Sequence, residues 1–278
     1  MNDDKVTWPC RDRTVTLACP AVMGILNVTP DSFSDGGKHD DLDAALAHAA
    51  RMLEEGAAIL DVGGESTRPG FTPVPAEEEK RRLLPVVREL RRAFPDCVIS
   101  IDTMKASVAE ATLEAGADII NDVAGLADPR MAAVVRDTGA GYVLMHGYAE
   151  HAGAPRAEGP GRLGAWMAEG TERLLARALA GGIARERIVL DPGFGFGKKR
   201  AENAEALQAV PLLIQRFGLP MLIGASRKHF VNGLHPEAGG DAVKASVAFA
   251  VDALRLGGRI FRVHDVLESC TALANALQ

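Results

Sequence analysis

The strongest constraint on the fold is an alternation, repeated eight times, of a short apolar run with a longer amphipathic stretch. The runs are four to six residues long and largely apolar, rather than apolar at every second position. Strands buried on both faces have this pattern, and they occur in parallel sheets that helices cover. The predicted strands span residues 21–26, 57–62, 97–101, 117–121, 141–145, 187–190, 220–225 and 259–263.

The amphipathic stretches between the runs predict eight helices. In "PAEEEKRRLL", Pro75 and three glutamates mark a helix start, because the helix dipole favours negative charge there. Glycines such as Gly116 and Gly139 follow several of the stretches, as expected at helix ends. The predicted helices span residues 41–55, 76–93, 105–115, 129–138, 162–181, 201–217, 241–256 and 265–277.

Eight strand–helix units in about 250 residues are typical of an α/β fold, the (β/α)8 TIM barrel. A doubly wound open sheet is the alternative that the same alternation allows. The chain has no shift in composition and no linker that would divide it. We therefore expect a single barrel domain over residues 21–278, preceded by a short N-terminal extension over residues 1–20.

Composition excludes several classes of protein. A hydrophobic content of 47% with 24% charged residues is ordinary for a globular protein, and a net charge of −6 argues against nucleic-acid binding. No apolar run reaches the ~18 residues of a membrane span, and the N-terminus lacks the apolar core of a signal peptide. The cysteines are far apart and form no C-x-x-C pair, which favours reduced thiols. We expect a cytoplasmic protein without a membrane or nucleic-acid partner.

Polar or charged groups lie in the last residues of every predicted strand or directly after it. In (β/α)8 barrels the active site is built where the strands end. One such polar group is an ordinary helix cap, but eight sets of them favour a substrate cavity. They are Asn27, the segment 63–70, Asp102, Asn121 with Asp122, His146, Asp191, the segment 226–229, and Arg262 with His264.

One group of these residues suits a flat heterocycle. Asp102, Asn121 and Asp191 offer hydrogen-bond acceptors and an amide, although each could instead cap a helix. The run "DPGFGFGK" after the sixth strand lacks both the P-loop pattern and the G-x-G-x-x-G spacing. We expect its glycines to let the backbone approach a flat ligand, with Phe194 and Phe196 as apolar walls.

A second group suits an anion. Lys228, Arg262 and His264 can be positively charged, and Asn27 can add an amide. Together they suggest a phosphate ester or a pyrophosphate as ligand. The alternative is that each of them is a solvated polar group at a strand end.

Several segments, in order from about residue 21 to residue 270, resemble the dihydropteroate synthase family: "MGILNVTPDSFSDGG", "DVGGESTRPG", "ISIDTMK", "ADIINDVAGL", "LDPGFGFGK", "GASRK" and "RVHDV". The resemblance implies a TIM barrel and a transferase of folate biosynthesis that sulfonamides inhibit by competition. The family condenses 6-hydroxymethyl-7,8-dihydropterin pyrophosphate with p-aminobenzoate, giving 7,8-dihydropteroate and pyrophosphate, with Mg²⁺ as cofactor. It also implies a homodimer.

Position by position, the resemblance assigns roles to individual residues. The pterin would be bound by Asp102, Asn121, Met145, Asp191, Lys228 and Arg262. The pyrophosphate would be bound by Asn27, Arg262 and His264, and Asn27 is similar to the Mg²⁺ ligand. The p-aminobenzoate site would be formed by Thr67, Arg68, Phe196, Lys228 and His229. Catalysis would depend on Asp102, Asp191, Lys228 and Arg262.

Two departures and two alternatives accompany the resemblance. His229 stands where the family often has serine, and "MHGYAE" replaces the usual Met-His-Met after the fifth strand. The chemistry implied is an SN1-like departure of pyrophosphate, which needs no side-chain nucleophile. A pterin-dependent methyltransferase and a non-catalytic pterin-binding paralogue are the alternatives. Release of pyrophosphate that depends on p-aminobenzoate separates all three.

The segments "NVTPDSFSDGG" (27–37) and "GGESTRPG" (63–70) combine glycine, proline and small polar residues. Such segments bury little apolar area and do not order themselves alone. We expect them to act as a lid that pyrophosphate and Mg²⁺ order, which would place Thr67 and Arg68. Binding would then be ordered, with p-aminobenzoate entering second.

Overall fold

The computed structural model describes residues 5–28, 38–65, 74–147 and 161–278, with the backbone alone for residues 38–41. The chain begins with an antiparallel hairpin of β1 (Lys5–Cys10) and β2 (Arg13–Ala18). The strands that follow are β3 Ala21–Asn27, β4 Ile59–Gly63, β5 Val98–Asp102, β6 Ile119–Asp122, β7 Gly141–Met145, β8 Ile188–Asp191, β9 Leu222–Ile223 and β10 Ile260–Val263.

In the described ranges, β3 to β10 form one eight-stranded parallel sheet in the order β8-β7-β6-β5-β4-β3-β10-β9. A bridge between Leu190 and Met221 joins β8 to the start of β9, so the sheet is a nearly closed barrel. Each strand lies beside its neighbours in the chain, without the reversal of order that a doubly wound sheet shows. The predicted (β/α)8 TIM barrel is confirmed, and the open sheet is wrong.

A helix or a helix pair follows each barrel strand. The helices are α1 Lys38–Glu54, α2 Ala76–Ala93, α3 Ala106–Glu114, α4 Met131–Thr138, α5 Leu163–Ala180, α6 Glu202–Gln208, α7 Val210–Phe217, α8 His229–Leu234, α9 Ala242–Arg255 and α10 Val266–Asn275. No helix in these stretches of the chain is both long and apolar enough to span a membrane.

Two predicted elements differ from the structure, and the structure adds β1, β2 and α8, which the sequence does not predict. The structure has two helices, α6 and α7, where a single helix is expected over 201–217. In one continuous helix Pro211 could not donate a backbone hydrogen bond, and its ring would collide with the carbonyl of Leu207. The strand expected over 220–225 is reduced to Leu222–Ile223, and Pro220, which lacks an N–H, accounts for its late start. The six-residue helix α8 was not expected, because it is too short to give a periodic pattern.

The hairpin covers the end of the barrel where the strands begin. Trp8 is buried, and its Nε1 donates to the carbonyl of Arg187 at 2.7 Å. Arg11 donates to the carbonyl of Leu113 at 2.7 Å, and Arg13 pairs with Asp118 at 2.6 Å. The hairpin's apolar residues form one cluster with the first residues of the strands. The other end of the barrel is left for the site. The division of the chain at residue 20 stays a prediction.

Candidate active site

A buried aspartate that the strand-end pattern did not single out, Asp61, lies at the centre of the site. Asp61 stands in the middle of β4 and is fully buried. Its Oδ1 accepts from Ser100 Oγ at 2.6 Å, and its Oδ2 accepts from Asn121 Nδ2 at 3.1 Å and from Arg262 Nε at 2.6 Å. The signal was present in "AAILDV", where a carboxylate interrupts an apolar run and requires buried partners.

Asp102 ends β5 and shares Arg262 with Asp61. Its Oδ2 accepts from Arg262 Nη2 at 2.6 Å. Burial raises the pKa of Asp102 to about 7; Arg262 opposes this shift, and the Asp61 carboxylate adds to it. Within the described residues, Asp102 Oδ1 and Asn121 Oδ1 are buried and have no hydrogen-bond partner. Because buried acceptors are normally satisfied, these two atoms suit N–H donors of a ligand.

Asp191 and Lys228 form the opposite side of the site. Asp191 ends β8, and its Oδ1 accepts from the N–H of Gly193 at 2.7 Å. Lys228 Nζ donates to the carbonyl of Phe194 at 2.5 Å and lies 4.3 Å from the ring centroid of Phe196. Burial raises the pKa of Asp191, although the hydrogen bond from the N–H of Gly193 and the charge of Lys228 oppose this shift. Burial lowers the pKa of Lys228 to about 8, although Asp191 opposes the shift.

The glycine-rich loop after β8 is organised by a buried lysine. Lys198 Nζ donates to the carbonyls of Gly193 at 2.9 Å, Phe196 at 3.3 Å and His146 at 3.4 Å. Gly193 has a φ of +67°, and a Cβ there would lie 2.0 Å from the carbonyl oxygen of His146. Only glycine fits this close approach of two backbones, which sets the position of the loop beside β7.

The expectation that Phe194 forms a wall of the ligand cavity is wrong. Its ring is fully buried and meets the ring of Phe249 edge to face, with 5.0 Å between the centroids. The positive φ values of Gly193 and Gly195 on either side, +67° and +78°, reverse the backbone and turn this side chain into the core. Phe196 instead lies beside Lys228, at the site.

Arg262 and His264 lie at the end of β10. Burial acts against the charge of Arg262, yet Asp61 and Asp102 raise the pKa of its guanidinium, so it stays a cation. His264 Nδ1 lies 3.0 Å from Ser226 Oγ, and the backbone N–H of His264 donates to the same oxygen at 3.1 Å. These contacts hold the end of β10 against the segment that carries Lys228.

The remaining predicted residues lie around this centre or outside the described ranges. Asn27 ends β3, is paired in register with Gly63 and is partly exposed. Met145 ends β7, in register with Asp191, and is buried. His229 is exposed at the first residue of α8. Thr67, Arg68 and most of both segments expected to form a lid lie outside the described residues.

Comparison with known proteins agrees with this geometry. Residues 23–264 match the family described as pterin binding enzyme. The dihydropteroate synthase of Escherichia coli K12 is 41% identical over 260 residues, which cover 94% of this chain and 92% of the relative.

Two solved structures are similar over nearly the whole chain. The dihydropteroate synthase of Xanthomonas albilineans with 4-aminobenzoic acid has a TM-score of 0.87 and 41% identity, covering 98% of this chain and 97% of its own. That of Yersinia pestis with a sulfonamide drug has a TM-score of 0.85 and 42% identity, covering 98% of both chains. The chain belongs to the pterin-binding enzymes and, among them, to the dihydropteroate synthase family of transferases in folate biosynthesis.

Proposed function

We propose that this site joins 6-hydroxymethyl-7,8-dihydropterin pyrophosphate to p-aminobenzoate, forming 7,8-dihydropteroate and releasing pyrophosphate. The observation that carries the proposal is the pair of buried acceptors, Asp102 Oδ1 and Asn121 Oδ1, which have no partner among the described residues. A reduced pterin presents N–H groups along one edge, and two fixed acceptors select such an edge. Lys228 supplies a donor for the carbonyl or ring nitrogen on the other edge.

Arg262, His264 and Asn27 bind the pyrophosphate in this proposal. Arg262 stays cationic, and His264 and Asn27 lie at the ends of the neighbouring strands β10 and β3. Asn27 also suits Mg²⁺, because it offers an amide oxygen and Mg²⁺ is commonly held by one or two protein groups together with substrate phosphates. When bound, Mg²⁺ would withdraw charge from the departing pyrophosphate. The likeness to the family supports this assignment.

The reaction proceeds by an SN1-like path in this proposal. The bond between the methylene carbon and the pyrophosphate oxygen breaks first, and both electrons leave with pyrophosphate. The dihydropterin ring delocalises the resulting cation, and the buried carboxylates of Asp102 and Asp191 stabilise it electrostatically. The amino nitrogen of p-aminobenzoate then forms the new C–N bond and loses a proton. No side-chain nucleophile is required.

The partners follow from the same site. p-Aminobenzoate binds beside Phe196 and Lys228, with His229 at the rim and with Thr67 and Arg68, and sulfonamides compete for this position. The complexes of the relatives with 4-aminobenzoic acid and with a sulfonamide support this part. A homodimer and a cytoplasmic location are further parts of the proposal, supported by the family resemblance and the free cysteines.

The test is the release of pyrophosphate by the wild-type enzyme with and without p-aminobenzoate. We expect release only when both substrates and Mg²⁺ are present. Arg262→Ala and His264→Ala should lower this turnover more than they weaken binding of the pterin alcohol, which lacks the anion. A methyltransferase would release no pyrophosphate, and a non-catalytic paralogue would bind pterin without turnover. Either result would reject the proposed reaction.

A further inference from the structure

We propose that Asp61 is the positioning residue of this site, a carboxylate that determines which atom of Asn121 faces the substrate and anchors the guanidinium of Arg262. The inference rests on the proposed function, because it assigns a role within the pterin site. Asp61 is fully buried at the middle of β4 and has no surface through which a substrate could reach it. It therefore acts through its neighbours.

The first step concerns hydrogen-bond direction. Both oxygens of Asp61 accept hydrogen bonds from neighbouring side chains, so Asn121 turns its Nδ2 towards Asp61, where the distance is 3.1 Å. The amide oxygen of Asn121 then points the other way, buried and without a partner among the residues described. Without Asp61, the amide could turn over and present N–H donors to the substrate. Asp61 thus makes this position select an N–H group rather than a bare ring nitrogen.

The second step concerns Arg262, which two carboxylates hold. Its Nε donates to Asp61 at 2.6 Å and its Nη2 to Asp102 at 2.6 Å. Asp102 accepts from Arg262 through Oδ2 and keeps Oδ1 for the substrate, so one carboxylate serves both groups. Asp61 is out of the substrate's reach, and its hold persists throughout the reaction. Two carboxylates therefore fix the guanidinium of Arg262, and Asp61 is the one that makes no contact with the substrate.

The third step separates orientation from charge. In Asp61→Asn, the amide oxygen can take the place of Oδ2 and still accept from Asn121 and Arg262. The new NH2 group then meets Ser100 Oγ, which lies 2.6 Å from Oδ1 and can accept by rotating its hydroxyl. This variant loses the charge and keeps the orientation. Asp61→Ala loses both.

The experiment measures the affinity of 6-hydroxymethylpterin by calorimetry and the pH profile of kcat/KM. Asp61→Ala should weaken binding of the pterin alcohol by up to about 10-fold, because the pterin loses its hydrogen bond to the Asn121 oxygen when that amide turns over. Asp61→Asn should bind it nearly as well as wild type. The acidic limb of the kcat/KM profile of Asp61→Asn should move to lower pH, because the Asp61 carboxylate no longer raises the pKa of Asp102. The other charged groups around Asp102 are unchanged: Arg262, Glu79, Asp122 and Lys228.

Asp118→Asn is the matched control. Asp118 is also a buried aspartate, held by Arg13 at 2.6 Å and Arg91 at 2.7 Å, but it lies at the opposite end of the barrel. The Asp118→Asn substitution should lower the melting temperature and leave the affinity for the pterin alcohol unchanged. The inference is overturned if folded Asp61→Ala binds as wild type, or if Asp118→Asn weakens binding equally. Should Asp61→Ala not fold, a folded Asp61→Asn that binds the pterin alcohol more than about 10-fold more weakly than wild type would overturn it, because this variant keeps the orientation of Asn121 and Arg262. Failure of wild type to bind the pterin alcohol would instead reject the proposed function.

Discussion

Asp102 and Lys228 carry opposite charges in the same buried site, and burial acts on them in opposite directions. Loss of hydration disfavours the charged form of either group. It raises the pKa of Asp102 to about 7 and lowers the pKa of Lys228 to about 8. Both groups are therefore charged together only in a narrow range of pH around neutrality. The proposed reaction uses both charged forms.

The pH profile of kcat/KM should accordingly be bell-shaped, with its maximum between about 7 and about 8. Below this range Asp102 gains a proton and no longer stabilises the cation. Above it Lys228 loses its proton and its charge. Steady-state rates in buffers of constant ionic strength would measure the profile. Lys228→Arg should move the alkaline limb to higher pH, because a guanidinium keeps its proton, and an unmoved limb would contradict the assignment.

Asp191→Ala should remove much of the affinity for the pterin and lower the stability by about 1–3 kcal/mol, because the buried N–H of Gly193 loses its acceptor. The carboxylate sits at the end of β8 and adds little to the apolar core. Loss of a charge-assisted hydrogen bond costs about 1.5–3 kcal/mol, or about 10- to 100-fold in affinity. Calorimetry with the pterin alcohol would measure this. Asp252→Ala, at a partly exposed residue of α9, is the control and should bind as wild type.

At the scale of elements, the loop after β8 is the least replaceable part of the site. It joins Asp191 to α6 through glycines with positive φ, and its carbonyls converge on the buried amino group of Lys198. The same loop turns Phe194 into the core and gives Lys228 its carbonyl acceptor. Its backbone conformation therefore decides which side chains line the site.

Gly193→Ala should both destabilise the protein and weaken pterin binding. The new Cβ would lie 2.0 Å from a backbone oxygen, which cannot move aside as a side chain could. Gly218→Ala is a close control, because Gly218 has a similar φ of +61° with nothing within 4 Å. The control should show only the cost of the left-handed conformation, about 1 kcal/mol. Urea unfolding and calorimetry would compare them, and equal effects in both variants would refute the steric argument.

At the scale of the whole molecule, the barrel separates stability from function. The site lies where the strands end, and the hairpin of β1 and β2 covers the end where they begin. A cavity of about 530 Å³ at the hairpin end, beside β2 and α10, is lined by none of the predicted site residues. In this fold, function depends on the end of the barrel where the strands end, and the end where the strands begin contributes to stability.

Trp8→Ala should therefore destabilise the protein by about 3–5 kcal/mol and leave pterin affinity unchanged. The indole is buried in the hairpin cluster, and its hydrogen bond to Arg187 would also be lost. Chemical unfolding would give the free energy, and calorimetry below the melting temperature would give the affinity. A folded Trp8→Ala protein with weakened pterin binding would show that the two ends are coupled.

Local sequence patterns were sufficient to predict the barrel and the rim of the site. Eight apolar runs are a local signal, and parallel strands necessarily bring their carboxyl ends to one edge. Asp102, Asn121, Asp191 and Arg262 could thus be grouped, because each lies in the last residues of a predicted strand or directly after it. The family resemblance added the chemistry to these positions, although Thr67 and Arg68 lie outside the described residues.

The arrangement beneath that rim depends on tertiary contacts. Asp61 accepts a hydrogen bond from Arg262, which lies 201 residues further along the chain. Ser100 and Asn121, on two further strands, also donate to Asp61. No local pattern encodes such a meeting, because it depends on the register and closure of the sheet. The inward turn of Phe194 likewise depends on two glycine dihedral angles. Periodicity predicts which elements form, whereas contacts between residues distant in sequence decide where each side chain points.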